Sequence, residues 1–354
     1  MDALKYISQS RAQLMAFAIL GVLFVHSGIR VPNGMLDFTI QTGYGGVDLF
    51  FFLSGFGLFY SCKKDGRCLN FWLKRLKRIM PAYVVCILIS QLMTRGRINW
   101  THLWQDCLFV GYWIPQLKWH FFAWFMSGIM GLYLVFPLFY KAFRRYPAGA
   151  TLHGALAGLF FAGVYSYYFL ILHPNGCNAF IHLFARTPLF FLGTYFAYLY
   201  DKEKSGTFQI SSTLLLTLLV LPFVGYKVFG VVTNMGLNYN QLRNSGCSFY
   251  PFLLIVPGAS IAAGYILCHC PRIARRILGW IGNSTLEAYL LLGAVFSFQN
   301  KFIALAGGSD IAGRLIMIAA CIVIACLLHY AIQYAGKGIS KLKEKGLVTT
   351  LRLS

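Results

Sequence analysis

Charge is scarce in this chain. Only 12% of its 354 residues are Asp, Glu, Lys or Arg, against about 25% in an ordinary soluble domain. Disorder is excluded, because 58% of the residues are hydrophobic and aromatics alone reach 17%. The ten cysteines are few for the length and scattered, which excludes a disulfide scaffold. Only Cys107, Cys177 and Cys247 fall in segments read as outer loops, so at most one disulfide among them is expected. Cys268 and Cys270 flank His269 but lack a second ligand pair at zinc spacing, so no metal site is expected. There is no internal repeat and no low-complexity linker. One domain is therefore expected over 1–336, followed by a basic cytoplasmic tail over 337–354. The first apolar segment, Leu14 to Ile29, is not followed by an Ala-x-Ala cleavage site, so it reads as a retained helix rather than a signal peptide.

What the chain has instead is apolar runs of membrane-spanning length, with a mean hydropathy of +0.63. They fall at 13–30, 45–62, 80–95, 121–141, 152–172, 180–200, 211–230, 251–270, 280–298 and 310–334. Each approaches the roughly 20 residues that a bilayer core requires. The fold class expected is an all-α integral membrane protein, a bundle of about ten transmembrane helices. An even number puts both termini on one side. That side holds 22 Lys and Arg, the opposite loops hold 6, and Arg186, Lys227 and Arg314 lie in or beside spans. The basic excess marks the cytoplasmic face, so both termini are predicted cytoplasmic. The formal charge of +21 is mostly this topology signal. Nucleic acid is not an expected partner, since there is no soluble domain to bind it.

Three outer segments are long: 31–44, 96–120 and 231–250. Trp100 to Trp119 carries four tryptophans around an apolar patch, Cys107 to Trp113, too short to span; it reads as an interfacial or re-entrant helix. The stretch Asn234 to Asn244 reads as a plain loop, although its Asn and Tyr side chains also suit a sugar.

Ionisable groups within spans are the strongest functional signals, because hydrocarbon burial is costly for them. They are His26, Asp48, Arg186 and Glu287, with His182 and His329 nearer span ends. At about 1.5 Å per residue, His26, Asp48 and Arg186 all fall at outer-leaflet depth, and Glu287 lies nearer the middle. A histidine beside a carboxylate is the arrangement of a general base: the carboxylate orients one ring nitrogen while the other takes a proton. That pairing is expected for His26 and Asp48. The competing reading has His26 bonded to a carbonyl or hydroxyl within the bundle, and Asp48 bridged to a loop arginine.

The cytoplasmic stretch Phe71-Trp72-Leu73-Lys74-Arg75-Leu76-Lys77-Arg78-Ile79-Met80-Pro81 puts Arg75 and Arg78 on one face if helical. Arginine forks suit phosphates; anionic membrane lipids are the bland alternative. Pro81 is expected to open the following span, at its first turn.

These residues sit in phrases that closely resemble the integral-membrane acyltransferase family 3. The specific stretch runs from Gly45-Gly46-Val47-Asp48-Leu49-Phe50-Phe51-Phe52-Leu53-Ser54-Gly55-Phe56 to Arg75-x-x-Arg78-Ile79-x-Pro81. Supporting phrases are Ser10-Arg11-x-x-Leu14 leading to His26-Ser27, Trp124-Phe125 with Tyr133 and Pro137, Arg186-x-Pro188, and Gly282-Asn283-Ser284-x-Leu286-Glu287-x-Tyr289-Leu290. The resemblance implies a ten-helix enzyme moving an acyl group, usually acetyl, from cytoplasmic acyl-CoA to a hydroxyl of a sugar or other envelope molecule. It implies that His26 is the essential histidine of the first span and that Arg75 and Arg78 are the paired arginines. The chain departs from the family pattern twice. Met15 stands where many members carry Arg, with Arg11 one turn earlier, and Leu292 stands where a histidine often closes the late phrase. About 20 residues follow the last span, so no fused extracytoplasmic esterase-like domain is expected.

The expected function is that of a multi-pass O-acyltransferase of a bacterial cytoplasmic membrane, taking acyl-CoA, most simply acetyl-CoA, as donor substrate and no metal. Its acceptor would be a saccharide, glycan or lipid-linked envelope molecule. His26, Asp48 and Arg186 are the candidate catalytic residues. Arg75, Arg78, Arg11 and Lys74 are the donor-binding candidates, and Glu287 and Ser54 are further candidates. The rival is a proton-coupled transporter or exporter of a small envelope precursor using the same ionisable groups; against it, no paired Gly/Pro-broken helices mark a repeat.

Overall fold

The computed structural model describes residues 2–65, 67–110, 112–114, 124–172, 180–237 and 239–344. Among these there is no β-strand. The first half of the chain contains α1 (Lys5–Gln9), α2 (Arg11–Ser27), α3 (Gly34–Gln41), α4 (Gly45–Lys64), α5 (Cys68–Arg95), α6 (Trp100–Cys107), α7 (Trp124–Arg145) and α8 (Pro147–Tyr167). The second half contains α9 (Ile181–Phe184), α10 (Thr187–Lys204), α11 (Ser212–Thr233), α12 (Tyr239–Ser245), α13 (Pro251–His269), α14 (Arg272–Asn283), α15 (Thr285–Phe296), α16 (Gln299–Leu305) and α17 (Asp310–Glu344).

Seven of these stretches are long and apolar enough to cross a membrane, or eight if α15 and α16, bent by 79°, form one span. The protein is a multi-pass membrane protein. The other two predicted spans correspond to α2, which is apolar but only 17 residues long, and to α10, whose last turns carry Asp201, Lys202, Glu203 and Lys204. Helices α8 and α11 are apolar around their whole circumference and largely uncovered, as lipid-facing helices are. Helix α4 is the opposite case, with a centre buried on every side. Gly55 permits this: a Cβ there would lie 1.8 Å from the Phe190 carbonyl oxygen of α10, so the two backbones touch. The hydroxyl of Thr194 donates across the same seam to the Gly55 carbonyl at 3.2 Å.

Three sequence expectations change. Pro81 does not open a helix; it lies inside α5, which is continuous from Cys68 to Arg95, so the basic stretch is already helical. Proline costs that helix one hydrogen bond, which a long packed helix tolerates. The expected span 280–298 resolves into the end of α14, then α15, then a sharp bend. Helix α15 has 12 residues, about 18 Å, which is short for a crossing of its own. Helix α14 is strongly amphipathic, with Arg272, Arg275 and Arg276 beside exposed Ile273, Ile277 and Trp280, the pattern of a helix lying in the membrane interface. The segments expected to be outer loops are helical in part too. Asn33 caps α3 by accepting from the Leu36 amide, and α12 occupies much of the stretch read as a plain loop.

The tryptophan-rich segment does contain a short helix, α6, with Trp100 and Trp104 exposed; Trp119 lies outside the described residues. The nine described cysteines are free thiols, and Cys177 also lies outside. Helix α17 runs through the expected boundary at residue 336 to Glu344, and residues 345–354 of the expected tail are outside the described residues.

Candidate functional site

Two regions stand at opposite ends of α2, whose 17 residues run from Arg11 to Ser27. At its start, three arginines from two helices converge. Arg11 lies within electrostatic reach of Arg75, Arg78 and Tyr133. Arg75 in turn faces Arg78, Tyr133 and Cys62. Arg11 is steered there by Leu53, whose carbonyl accepts from its Nε at 3.3 Å and its Nη2 at 3.1 Å. Gly57 leaves the space: a Cβ at that position would sit 2.7 Å from Arg11 Nη2. Arg75 rests over the Phe71 ring at 5.5 Å, and its Nε is buried with no hydrogen-bond partner. Three guanidinium groups in mutual range, one with an unused buried donor, make a strong site for a polyanion.

Met15 is packed among apolar neighbours. Arg11 lies one turn before that position, facing Arg75 and Arg78. Lys74, grouped with these arginines from sequence, turns away. Its Nζ donates to Asp65 at 2.8 Å, and hydrogen bonds from Lys74, Asn70 and Arg67 hold the Asp65 carboxyl well below the usual carboxylate range. Lys74 thus staples the turn between α4 and α5.

At the other end of α2, His26 is held by a hydrogen bond of 2.8 Å between its Nδ1 and the Val22 carbonyl. A carbonyl can only accept, so Nδ1 carries the proton and the lone pair lies on Nε2. The expected pairing with Asp48 is not formed. Asp48 Oδ2 accepts from Arg186 Nε at 3.0 Å, with the two side chains 1% and 2% exposed. The physical reason is burial: at this depth the Arg186 guanidinium and the Asp48 carboxylate offset each other's desolvation. Arg186 also donates through Nη1 to the His182 carbonyl at 2.9 Å and lies over the rings of Phe249 at 4.1 Å and Trp124 at 5.7 Å. It joins α4 to α10 at the His26 end of the bundle. Ser54 is buried within α4, beside the Gly55 seam.

Sequence reasoning passed over Arg314. It donates through Nε to Asp310 at 2.7 Å and through Nη1 to the carbonyl of Ser27, the residue after His26. A guanidinium there satisfies a terminal carbonyl of α2 and complements the helix dipole. Its signal in the sequence was a lone arginine one turn into an apolar span, four residues after an aspartate. Glu287, the last candidate, is brought to neither region. It pairs with His329.

Residues 14–330 match the family described as the Acyltransferase domain. Acyltransferase MdmB of Streptomyces mycarofaciens is 31% identical over 150 residues, which cover 37% of this chain and 38% of that protein. O-acetyltransferase OatA of Staphylococcus aureus (strain NCTC 8325 / PS 47) is 31% identical over 86 residues, 22% of this chain and 13% of that protein. The matched segments thus span well under half the length of either relative. No solved structure matches the chain.

Proposed function

The chain belongs to the integral-membrane acyltransferase family 3, whose acyltransferase domain its residues 14–330 match, and from that premise we propose that it is an O-acetyltransferase of the cytoplasmic membrane. The donor is acetyl-CoA, bound from the cytoplasmic face. The acceptor is a hydroxyl of an envelope glycan or lipid-linked saccharide, in keeping with the O-acetyltransferase name of one relative.

The observation that carries this reading is the convergence of Arg11, Arg75 and Arg78 around an unpartnered buried Nε. The nucleotide phosphates of the donor occupy that cluster. Fifteen residues along α2, about 22 Å away and about 60° round the helix, stands His26. The extended arm of the donor bridges that distance and presents its thioester there. His26 Nε2 takes the proton of the acceptor hydroxyl, the oxygen attacks the thioester carbonyl, and the C–S bond breaks with its electron pair on sulfur. The Val22 carbonyl does for His26 what a carboxylate does in other bases, fixing the tautomer and the ring plane. Asp48 and Arg186 are positioning residues that hold the surrounding helices, and Arg314 holds the end of α2.

Incubation of the purified full chain with labelled acetyl-CoA and membrane extract tests this. Label should pass to an extract molecule with the wild-type protein and fail to do so with His26→Gln. A protein that neither binds nor consumes acetyl-CoA, yet accumulates solute in vesicles, would be the transporter instead.

A further inference from the structure

Helix α14 is anchored to the bundle along one side. Its Gly282 lies so close to α2 that a Cβ there would come within 1.7 Å of the Ala12 carbonyl oxygen, and Gln13 Nε2 donates to the Arg275 carbonyl at 3.0 Å. Helix α14 therefore lies against the Arg11 end of α2. Away from that side, helical winding sorts its exposed residues into two rows. Arg272 and Arg276 fall within about 40° of each other, and Trp280, Ile273 and Ile277 occupy a strip of about 60° beside them. All five side chains are exposed.

The cationic row is uncompensated. Helix α14 has no acidic residue of its own, and among the described residues no carboxylate pairs with Arg272, Arg275 or Arg276. Arg275 turns back to the bundle, where its Nη1 donates to the Cys268 carbonyl at 3.4 Å. Arg276 lies over the Trp280 ring at 5.5 Å, on the border between the two rows. An apolar strip on an interfacial helix faces acyl chains, and arginines beside it reach the headgroups. Two guanidinium groups one turn apart suit a phosphate. A zwitterionic headgroup brings its own ammonium among these cations; an anionic headgroup brings net negative charge, worth about five-fold in affinity per arginine.

We propose that α14 carries a binding site for an anionic phospholipid, with its phosphate held between Arg272 and Arg276 and its acyl chains laid along Trp280, Ile273 and Ile277. The lipid thus seats the helix that buttresses the start of α2. The site requires neither acyl donor nor acceptor, so it stands or falls apart from the proposed reaction.

The test uses the full chain in phosphatidylcholine nanodiscs, with tail-brominated phosphatidylglycerol or tail-brominated phosphatidylcholine as a minority lipid. Bromine quenches tryptophan at close range, and subtracting the emission of Trp280→Phe isolates Trp280. Brominated phosphatidylglycerol should quench Trp280 at a lipid fraction lower by about five-fold or more than brominated phosphatidylcholine. That preference should disappear in Arg272→Gln/Arg276→Gln, weaken with added salt, and survive in Arg272→Lys/Arg276→Lys, which keeps both charges. Both arginines are exposed, so neither variant removes a core contact. Comparing the two lipids within each variant also cancels any change in the brightness of Trp280. Equal quenching by both lipids in the wild type would overturn the site, as would a preference that persists in the glutamine variant. Loss of the preference on adding inorganic phosphate at constant ionic strength would overturn it too, assigning the arginines to a free anion.

Discussion

Asp48 and Arg186 meet at 3.0 Å with both side chains almost wholly buried, 138 residues apart in the chain. This contact ties the start of α4 to the start of α10 at the depth where His26 stands, and it sets the two charges against each other.

Breaking that pair should destabilise the protein more than removing it. Arg186→Met leaves Asp48 charged and alone, and should cost about 3–5 kcal/mol. The double variant Asp48→Leu/Arg186→Met should recover most of the loss, since apolar replacements of a buried pair are often neutral. Thermal unfolding of detergent-solubilised protein measures both. A single variant as stable as wild type would show that the pair is not structural.

Donor affinity should depend on the arginine cluster and not on its neighbour. Arg75→Ala and Arg78→Ala should each weaken acetyl-CoA binding by roughly ten- to hundred-fold, about 1.5–3 kcal/mol. Lysine at either place should rescue only in part, because the fork is lost. Lys74→Ala, which releases Asp65 and not the cluster, should leave affinity near wild type. Isothermal titration with acetyl-CoA separates the three cases.

Gly57→Leu is a test of Arg11 that leaves every charge in place. A side chain at residue 57 collides with Arg11 Nη2, so the guanidinium must leave its seat on Leu53. Donor affinity should fall about as far as in Arg11→Ala, by roughly ten-fold. Normal affinity in both variants would exclude Arg11 from the donor site.

His26→Gln keeps a hydrogen-bonding side chain but no basic nitrogen. The transfer rate should fall by roughly 10²–10⁴ while acetyl-CoA binding stays near wild type. The lower limb of the pH–rate profile should vanish with it, because that limb reports protonation of the imidazole. Asp48→Asn should change the rate through stability alone, since its carboxylate bonds Arg186 rather than His26. A folded His26→Gln protein with normal turnover would refute the base role.

Orientation is testable on a cysteine-free background. A single cysteine at residue 247 should react with an impermeant thiol reagent from outside, and one at residue 67 from the cytoplasm, following the 22-to-6 excess of basic residues. The opposite pattern would invert the bundle.

Composition and local pattern determined a good deal by themselves. Apolar runs of bilayer length can become little else than membrane helices, and the phrases around Asp48 and Arg75 made the family legible before any coordinates. Residue type also marked which buried positions must find a polar partner, because a charge in hydrocarbon is costly. Partner choice was beyond it. The sequence pointed to a histidine–carboxylate pair and put it at His26 and Asp48, which lie at similar depth; the fold makes that pair from His329 and Glu287, 42 residues apart, and gives Asp48 to Arg186. Depth along a helix can be counted in residues, but direction around it and the neighbour it meets are set by packing. The same holds for Arg11, which reaches Arg75 and Arg78 only because Gly57 clears its way, and for α15, whose bend against α16 depends on what surrounds it. Hydrophobicity is a property of each residue and survives in the one-dimensional chain, whereas the meeting of two charges is a property of the assembled bundle.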